Sequence, residues 1–194
     1  MQNIASRIDP NDTALLFIDL QVGIAELSRT ISVERLKKGV SGLSKLAKIF
    51  AVPTIVSGVA GQDGNAPTML SQISDGIGDF TVYQRMTADS LRNDAIVSAL
   101  KASGRRTLLI SGVSTEVAVQ LPALTAADMG YRVLVVIDAC GGMSERTEQA
   151  ALQRIAKSGG ALVSVMTLAG ELCGDFRTPE AQAAVGILYE MATA

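Results

Sequence analysis

Apolar residues fall along this chain in two alternating patterns. Short unbroken runs such as Ala14 to Ile18, Leu108 to Ile110 and Val133 to Ile137 are of the kind shown by strands buried on both faces. Between them, apolar positions recur at three and four. Leu36, Val40, Leu43, Leu46, Ala47 and Phe50 mark a helix over 33–50 with one buried face. The same reading predicts strands over 13–20, 52–56 (interrupted early by Pro53), 80–83, a central one from 106, 132–137 and 161–165. It predicts helices over 90–103 and 144–157, a short one within 69–77, a helical turn at 168–172 and a final helix over 179–191. Gly104, Gly130 and the Gly159-Gly160 pair close helices, and Asp9-Pro10-Asn11-Asp12 is a turn within an irregular lead-in over 1–12. The Gly-rich stretch 57–67, SGVAGQDGNAP, reads as a long loop. Strand and helix alternate six times, with no repeat and no internal linker. The expected fold is therefore α/β, a three-layer α/β/α domain over 1–194 around a six-stranded, mostly parallel, Rossmann-like sheet.

The stretch 106–123, RTLLISGVSTEVAVQLPA, organises the rest. A buried strand ends at Ser111-Gly112 and turns into a helix. Ser114 or Thr115 is placed to cap that helix, with Glu116 adding a carboxylate near its positive end. Such a turn directs backbone N–H groups at a small volume beyond the strand's carboxyl end, where open α/β sheets bind ligands. Pro122 cannot donate to the carbonyl of Ala118, so a continuous helix there should kink.

Composition narrows the chemistry. The chain has 194 residues, 48% of them apolar, and no histidine. The missing histidine removes a Ser-His-Asp triad, a Cys-His dyad and any His-ligated zinc site. No metal and no cofactor are implied. The first strand is followed by Leu20-Gln21-Val22-Gly23 rather than G-x-G-x-x-G, which speaks against a dinucleotide. A net charge of −2, scattered basic residues and an absence of Trp leave little for nucleic acid to bind. No apolar run reaches membrane-spanning length, no basic and apolar leader stands at the start, and the two cysteines make no disulfide framework. The expectation is a reduced, cytoplasmic protein. The apolar fraction exceeds what a monomer of this size needs, which points to self-association as a dimer or larger.

Polar residues at the ends of buried strands are the candidate site: Asp19, Arg85, Ser114 with the helix start, and Asp138 with Cys140. A charge directly after a buried apolar run is costly unless paired. Asp19 and Arg85 therefore serve either as a structural ion pair or as a general base beside a cation.

Asp19 and Gln21 after an apolar strand, G-V-S-T-E-V-A-V leading into a Pro-containing helix, Asp128-Met129-Gly130-Tyr131 and V-V-I-D-A together resemble the isochorismatase-like hydrolases, also called the cysteine hydrolase superfamily. The resemblance covers roughly 12–178. Glu171-Leu172 with Asp175-Phe176 is similar to the tail of one bacterial subgroup of uncertain substrate. The family includes nicotinamidases, carbamoylsarcosine amidase and isochorismatase, and it implies a six-stranded α/β fold and often tetramers or larger rings. It also implies an Asp, a Lys and a Cys that cleave a C–N bond of a small-molecule substrate. The Asp takes the thiol proton, the Cys attacks the carbonyl, and backbone N–H groups hold the oxyanion.

Carried over by position, the Asp is Asp19 and the Lys is Arg85, which keeps the charge but spreads it over a fork. Ser114 and Gln21 take the oxyanion or substrate-binding places. The Cys position is Ala118, which has no nucleophile. Three accounts remain open. Ala118 is an introduced, inactivating change; or the protein lacks the cysteine naturally and binds a carbonyl ligand or assembles as a scaffold; or another residue, Cys140 first among them, replaces it.

Overall fold

The computed structural model describes residues 7–61 and 64–193. The first strand, β1 (Thr13–Ile18), is buried at every position, as its unbroken apolar run requires. Its side chains alternate between two cores. Leu15 and Phe17 enter one, Ala14, Leu16 and Ile18 the other. β2 (Thr54–Val59), β3 (Val82–Arg85), β4 (Thr107–Gly112), β5 (Arg132–Val136) and β6 (Ala161–Val163) complete the sheet. Its order is β3-β2-β1-β4-β5-β6, and every pairing is parallel. The sheet is thus wholly rather than mostly parallel.

Helices cover both faces. α1 (Val33–Ile49), α2 (Ser71–Ile77), α6 (Val165–Cys173) and α7 (Pro179–Ala192) pack on the Leu15/Phe17 side. α3 (Asp94–Ala102), α4 (Gln120–Asp128) and α5 (Glu145–Lys157) pack on the other. Caps follow the sequence at several starts: Ser32 accepts from Arg35 N, Asn93 from Ala95 and Ile96 N, and Ser144 from Thr147 N. Gly104 and Gly130 adopt φ of +67° and +89° and stop α3 and α4. Among the described residues no helix is long and apolar enough to cross a membrane.

Several boundaries differ from the apolar pattern. β2 begins after Pro53 and continues through Ser57 and Gly58, which the composition of 57–67 marks as loop. Parallel pairing with β1 and β3 overrides that local signal. β6 is shorter because Ser164 caps α6 by accepting from Thr167 N, so the helix starts at Val165 instead of 168. The helix expected over 90–103 is a 3-10 turn at Ser90–Arg92 followed by α3. Of the lead-in over 1–12, residues 1–6 lie outside the described residues, as do Gln62 and Asp63 of the 57–67 stretch. Asp9 accepts from Asn11 N at 2.8 Å, forming the expected turn.

Sheet order places the topological switch between β1 and β4, whose flanking connections run to opposite faces. A crevice opens at their carboxyl ends, as parallel sheets of this kind dictate. Gly112 allows the approach: a Cβ there would stand 2.4 Å from the Ile18 carbonyl oxygen.

Candidate active site

β1 ends at Asp19, whose backbone adopts φ of +54°. This left-handed bend, which Asp tolerates better than most residues, turns the chain away from the sheet. The Asp19 N–H donates to the Ser57 carbonyl at 3.0 Å. Its carboxylate meets Arg85, the last residue of β3: Arg85 Nη2 donates to Asp19 Oδ2 at 2.6 Å. Both side chains are buried, at 1% exposure for Arg85 and 8% for Asp19. The remaining guanidinium nitrogens are also engaged, Nε with Ser57 Oγ at 3.2 Å and Nη1 with the Thr87 carbonyl. Arg85 is thus held by β2, by the chain beyond β3 and by Asp19.

Asp19 Oδ1 is buried and accepts no hydrogen bond among the described residues. Burial pushes the Asp19 carboxyl above the ordinary carboxylate range. The charge and hydrogen bond of Arg85 oppose that rise without cancelling it. The nearby Val59 amide also favours the charged form, but its N–H is directed at Gln21 Oε1, 2.8 Å away.

Beyond β4 the chain forms a wide π turn over Thr115–Val119 before α4 begins at Gln120. The peptide between Val113 and Ser114 is cis. Neither expected cap acts as one. Ser114 makes no side-chain cap bond; instead its backbone carbonyl accepts from Val117 and Val119 N–H. The Thr115 hydroxyl donates to Glu148 at 2.7 Å. Glu116 accepts from Met143 N and the Thr147 hydroxyl, tying this turn to the loop before α5. The helical stretch that holds Pro122 is not one continuous α-helix: a π turn comes first and gives way to α4 two residues before the proline. Pro122 then sits in the first turn of α4, where a missing N–H breaks no bond of that helix.

Asp19, Arg85, Ser114 and Ala118 line one cavity of about 330 Å³. Gln21, expected beside them, does not line it. Its amide brackets Val59, accepting from the N–H and donating to the carbonyl at 3.2 Å. Gly58 leaves room for this, since a Cβ there would stand 3.0 Å from Gln21 Oε1. Cys140 lies elsewhere. It lines a separate cavity with Arg35, Lys38 and Asp138, and burial pushes its thiol up to about 12. A thiol so raised is not a nucleophile at neutral pH. Cys173 is likewise a free, buried thiol.

The sequence pattern missed the groups that support and wall this cavity. Ser57, a hydroxyl inside an otherwise apolar strand, was the readable signal for an Arg85 partner. Ile24, Leu27, Met86 and Met143 come from connections that no periodicity links to the site.

An isochorismatase domain matches residues 13–167. The chain belongs to the isochorismatase family of hydrolases. It is 36% identical over 172 residues to the probable hydrolase YcaC of Escherichia coli, covering 88% of this chain and 82% of that one. The Escherichia coli YcaC crystal structure, described as an octameric hydrolase of unknown specificity, superposes with a TM-score of 0.88 at 33% identity, over 96% of this chain and 91% of that one. YcaC from Pseudomonas aeruginosa, solved with hexane-2,5-diol and covalent acrylamide, gives 0.88 at 31% identity, over 97% and 95%. These relatives share the fold of this chain.

Proposed function

We propose that the cavity bounded by Asp19, Arg85 and Ala118 is a small-amide site of the hydrolytic type, with Ala118 standing where the nucleophile belongs. The observation that carries this reading is the assembly of a buried acid, its cation and the first helical turn after β4 around one crevice at the switch point. Ala118 is 3% exposed, so its methyl group closes the wall at that place. Asp19 is the proton acceptor, Arg85 holds it in place, and Ser114 with the turn's backbone faces the carbonyl oxygen. Without a sulfur or hydroxyl at 118, no acyl-enzyme forms. Cys140, raised and in another cavity, does not replace it. The chain as it stands therefore binds a small carbonyl compound without acyl transfer.

The covalent acrylamide in the Pseudomonas aeruginosa relative supports a small amide as a ligand for this chain also. The test is release of ammonia from a panel of small primary amides. The chain itself should release none above background, and its Ala118→Cys variant should release it. Release by the unaltered chain would place the nucleophile elsewhere. The alanine equally favours a second reading, a silent homologue that serves through binding or assembly. Release by the variant decides for a hydrolytic scaffold.

Self-association belongs to the same proposal. The Escherichia coli relative is octameric, and Ile137, Leu162 and Met166 are exposed apolar side chains near the carboxyl end of β5, on β6 and on α6. Light scattering at micromolar concentration should give a homo-oligomer; a monomer would refute it. Two buried, reduced cysteines suit a cytoplasmic setting.

A further inference from the structure

We infer that this cavity selects an uncharged ligand, a primary carboxamide head at the Asp19 end with an aliphatic tail running to the rim, and rejects carboxylates and amines of the same size. The inference rests on reading the cavity as the ligand site, and goes beyond it by fixing the ligand's charge.

Charge is the first argument. Asp19 and Arg85 are the charged residues among the described lining residues, and they neutralise each other at 2.6 Å. Each Arg85 nitrogen already donates, to Ser57, Thr87 or Asp19. A ligand carboxylate would have only the second N–H of Nη1 or Nη2 to accept from, on a guanidinium that is 1% exposed and whose charge Asp19 already neutralises. It would also stand near a carboxylate that burial already disfavours. A ligand ammonium meets the opposite problem, because one buried carboxylate would then face two cations. Either charge enters a partly desolvated site without a counterion.

Hydrogen bonding is the second. Asp19 Oδ1 is a buried acceptor with no donor among the described residues. A neutral N–H supplies what it lacks without adding charge, and leaves the Arg85 bonds intact.

The wall is the third. Outward from Asp19 the cavity is bounded by Ile24, Leu27, Val59, Met86, Val117 and Met143. At the mouth Leu27 is 51% exposed, Met86 81%, Val117 45% and Met143 40%. Apolar side chains this exposed gain by covering an aliphatic tail. The unbranched methionines adapt to its shape. A cavity of about 330 Å³ is at the small end of ligand pockets, which span about 300–1,000 Å³.

The test is calorimetric titration of the intact, unaltered chain with four compounds of one length: hexanamide, hexanoate, hexylammonium and adipamate, the last carrying an amide at one end and a carboxylate at the other. Hexanamide should bind about tenfold tighter than each charged compound, or about 1.4 kcal/mol. Met86→Lys places a cation at the rim on a side chain that no core packing holds. It should raise the ratio of adipamate to hexanamide affinity severalfold, because the carboxylate end of adipamate then meets a partner while hexanamide loses the cover of the methionine. Equal or tighter binding of hexanoate or hexylammonium would overturn the inference. So would binding of none of the four at millimolar concentration, or a Met86→Lys variant that does not favour adipamate. These outcomes are independent of the ammonia-release test. If hexanamide is preferred but Ala118→Cys hydrolyses nothing, only the hydrolytic reading fails. If the variant hydrolyses amides without regard to charge, only this inference fails.

Discussion

Arg85→Met is expected to destabilise the chain by about 3–5 kcal/mol, the cost of leaving one partner of a buried ion pair uncompensated. The magnitude follows from burial: the guanidinium is 1% exposed and the carboxylate 8%, so water does not screen the loss. The change also strands the Ser57 hydroxyl and the Thr87 carbonyl, both of which Arg85 satisfies. Asp19→Asn/Arg85→Met removes both charges, and Asn keeps the left-handed backbone that Asp19 adopts. Its loss should therefore be clearly smaller than the sum of the two single losses. Urea midpoints at one fixed protein concentration measure both quantities.

The pH dependence of that deficit has a definite sign. Burial raises the folded carboxyl of Asp19 above its ordinary value, and Arg85 holds the rise in check. Without Arg85 the folded carboxyl rises further. A folded acid with a raised pKa costs stability as pH climbs from the unfolded value, about 3.9, through the folded one. The cost is absent below the unfolded value. The Arg85→Met deficit should accordingly be largest near neutral pH and shrink as pH falls toward 4. A deficit that grows on acidification would mean that Asp19 is not the group left uncompensated.

The second large effect is chemical. Ala118→Cys should create a thiol that adds to acrylamide at neutral pH about tenfold or more faster than an unfolded cysteine. Position 118 lies in the helical turn that opens onto α4, where the partial positive charge of a helix start favours a thiolate. Arg85 lines the same cavity and adds positive charge. Asp19 has a carboxyl raised toward the thiol range by burial, which makes it a better proton acceptor than an ordinary carboxylate. Asp19→Asn in the Ala118→Cys background keeps the shape and removes the acceptor, and should slow the addition. Cys140 provides the contrast within the same molecule, since a thiol pushed up to about 12 stays unreacted.

How much of this was readable before the fold is clearest at single residues. Asp19 and Arg85 were legible because a charge directly after a buried strand must find a partner, and each found the other. The family was legible in its motifs over roughly 12–178, and a domain match over residues 13–167 bears it out; Ala118 was singled out through the same motifs and lines the cavity with Asp19 and Arg85. A parallel sheet with helices on both faces followed from β–α alternation, whereas the strand order came only with the fold. Local signals failed where tertiary contacts outweighed them. Ser57 and Gly58 look like loop yet belong to β2, because β1 and β3 pair with Ser57 on either side and β3 pairs with Gly58. Ser114 has the composition of a cap, but the π turn needs its carbonyl rather than its hydroxyl. Gln21 stands next to the site in sequence but spends its amide on Val59. Cys140 follows a strand adjacent to β4 and still lines another cavity, because the chain after β5 turns toward α1. The apolar wall was illegible for a different reason. Leu27, Met86 and Met143 come from three connections, and only the folded sheet edge brings them together.

The most direct measurement is the pH–rate profile of acrylamide addition to the Ala118→Cys variant, followed by intact mass with the parent chain as blank. A cavity built around Asp19, Arg85 and a helix start should give a single addition with its inflection at or below about pH 7.5. An inflection at or above about 8.5, the value of an unperturbed thiol, would contradict the account. The cavity would then be a crevice lined by a structural ion pair and not a site made for a nucleophile.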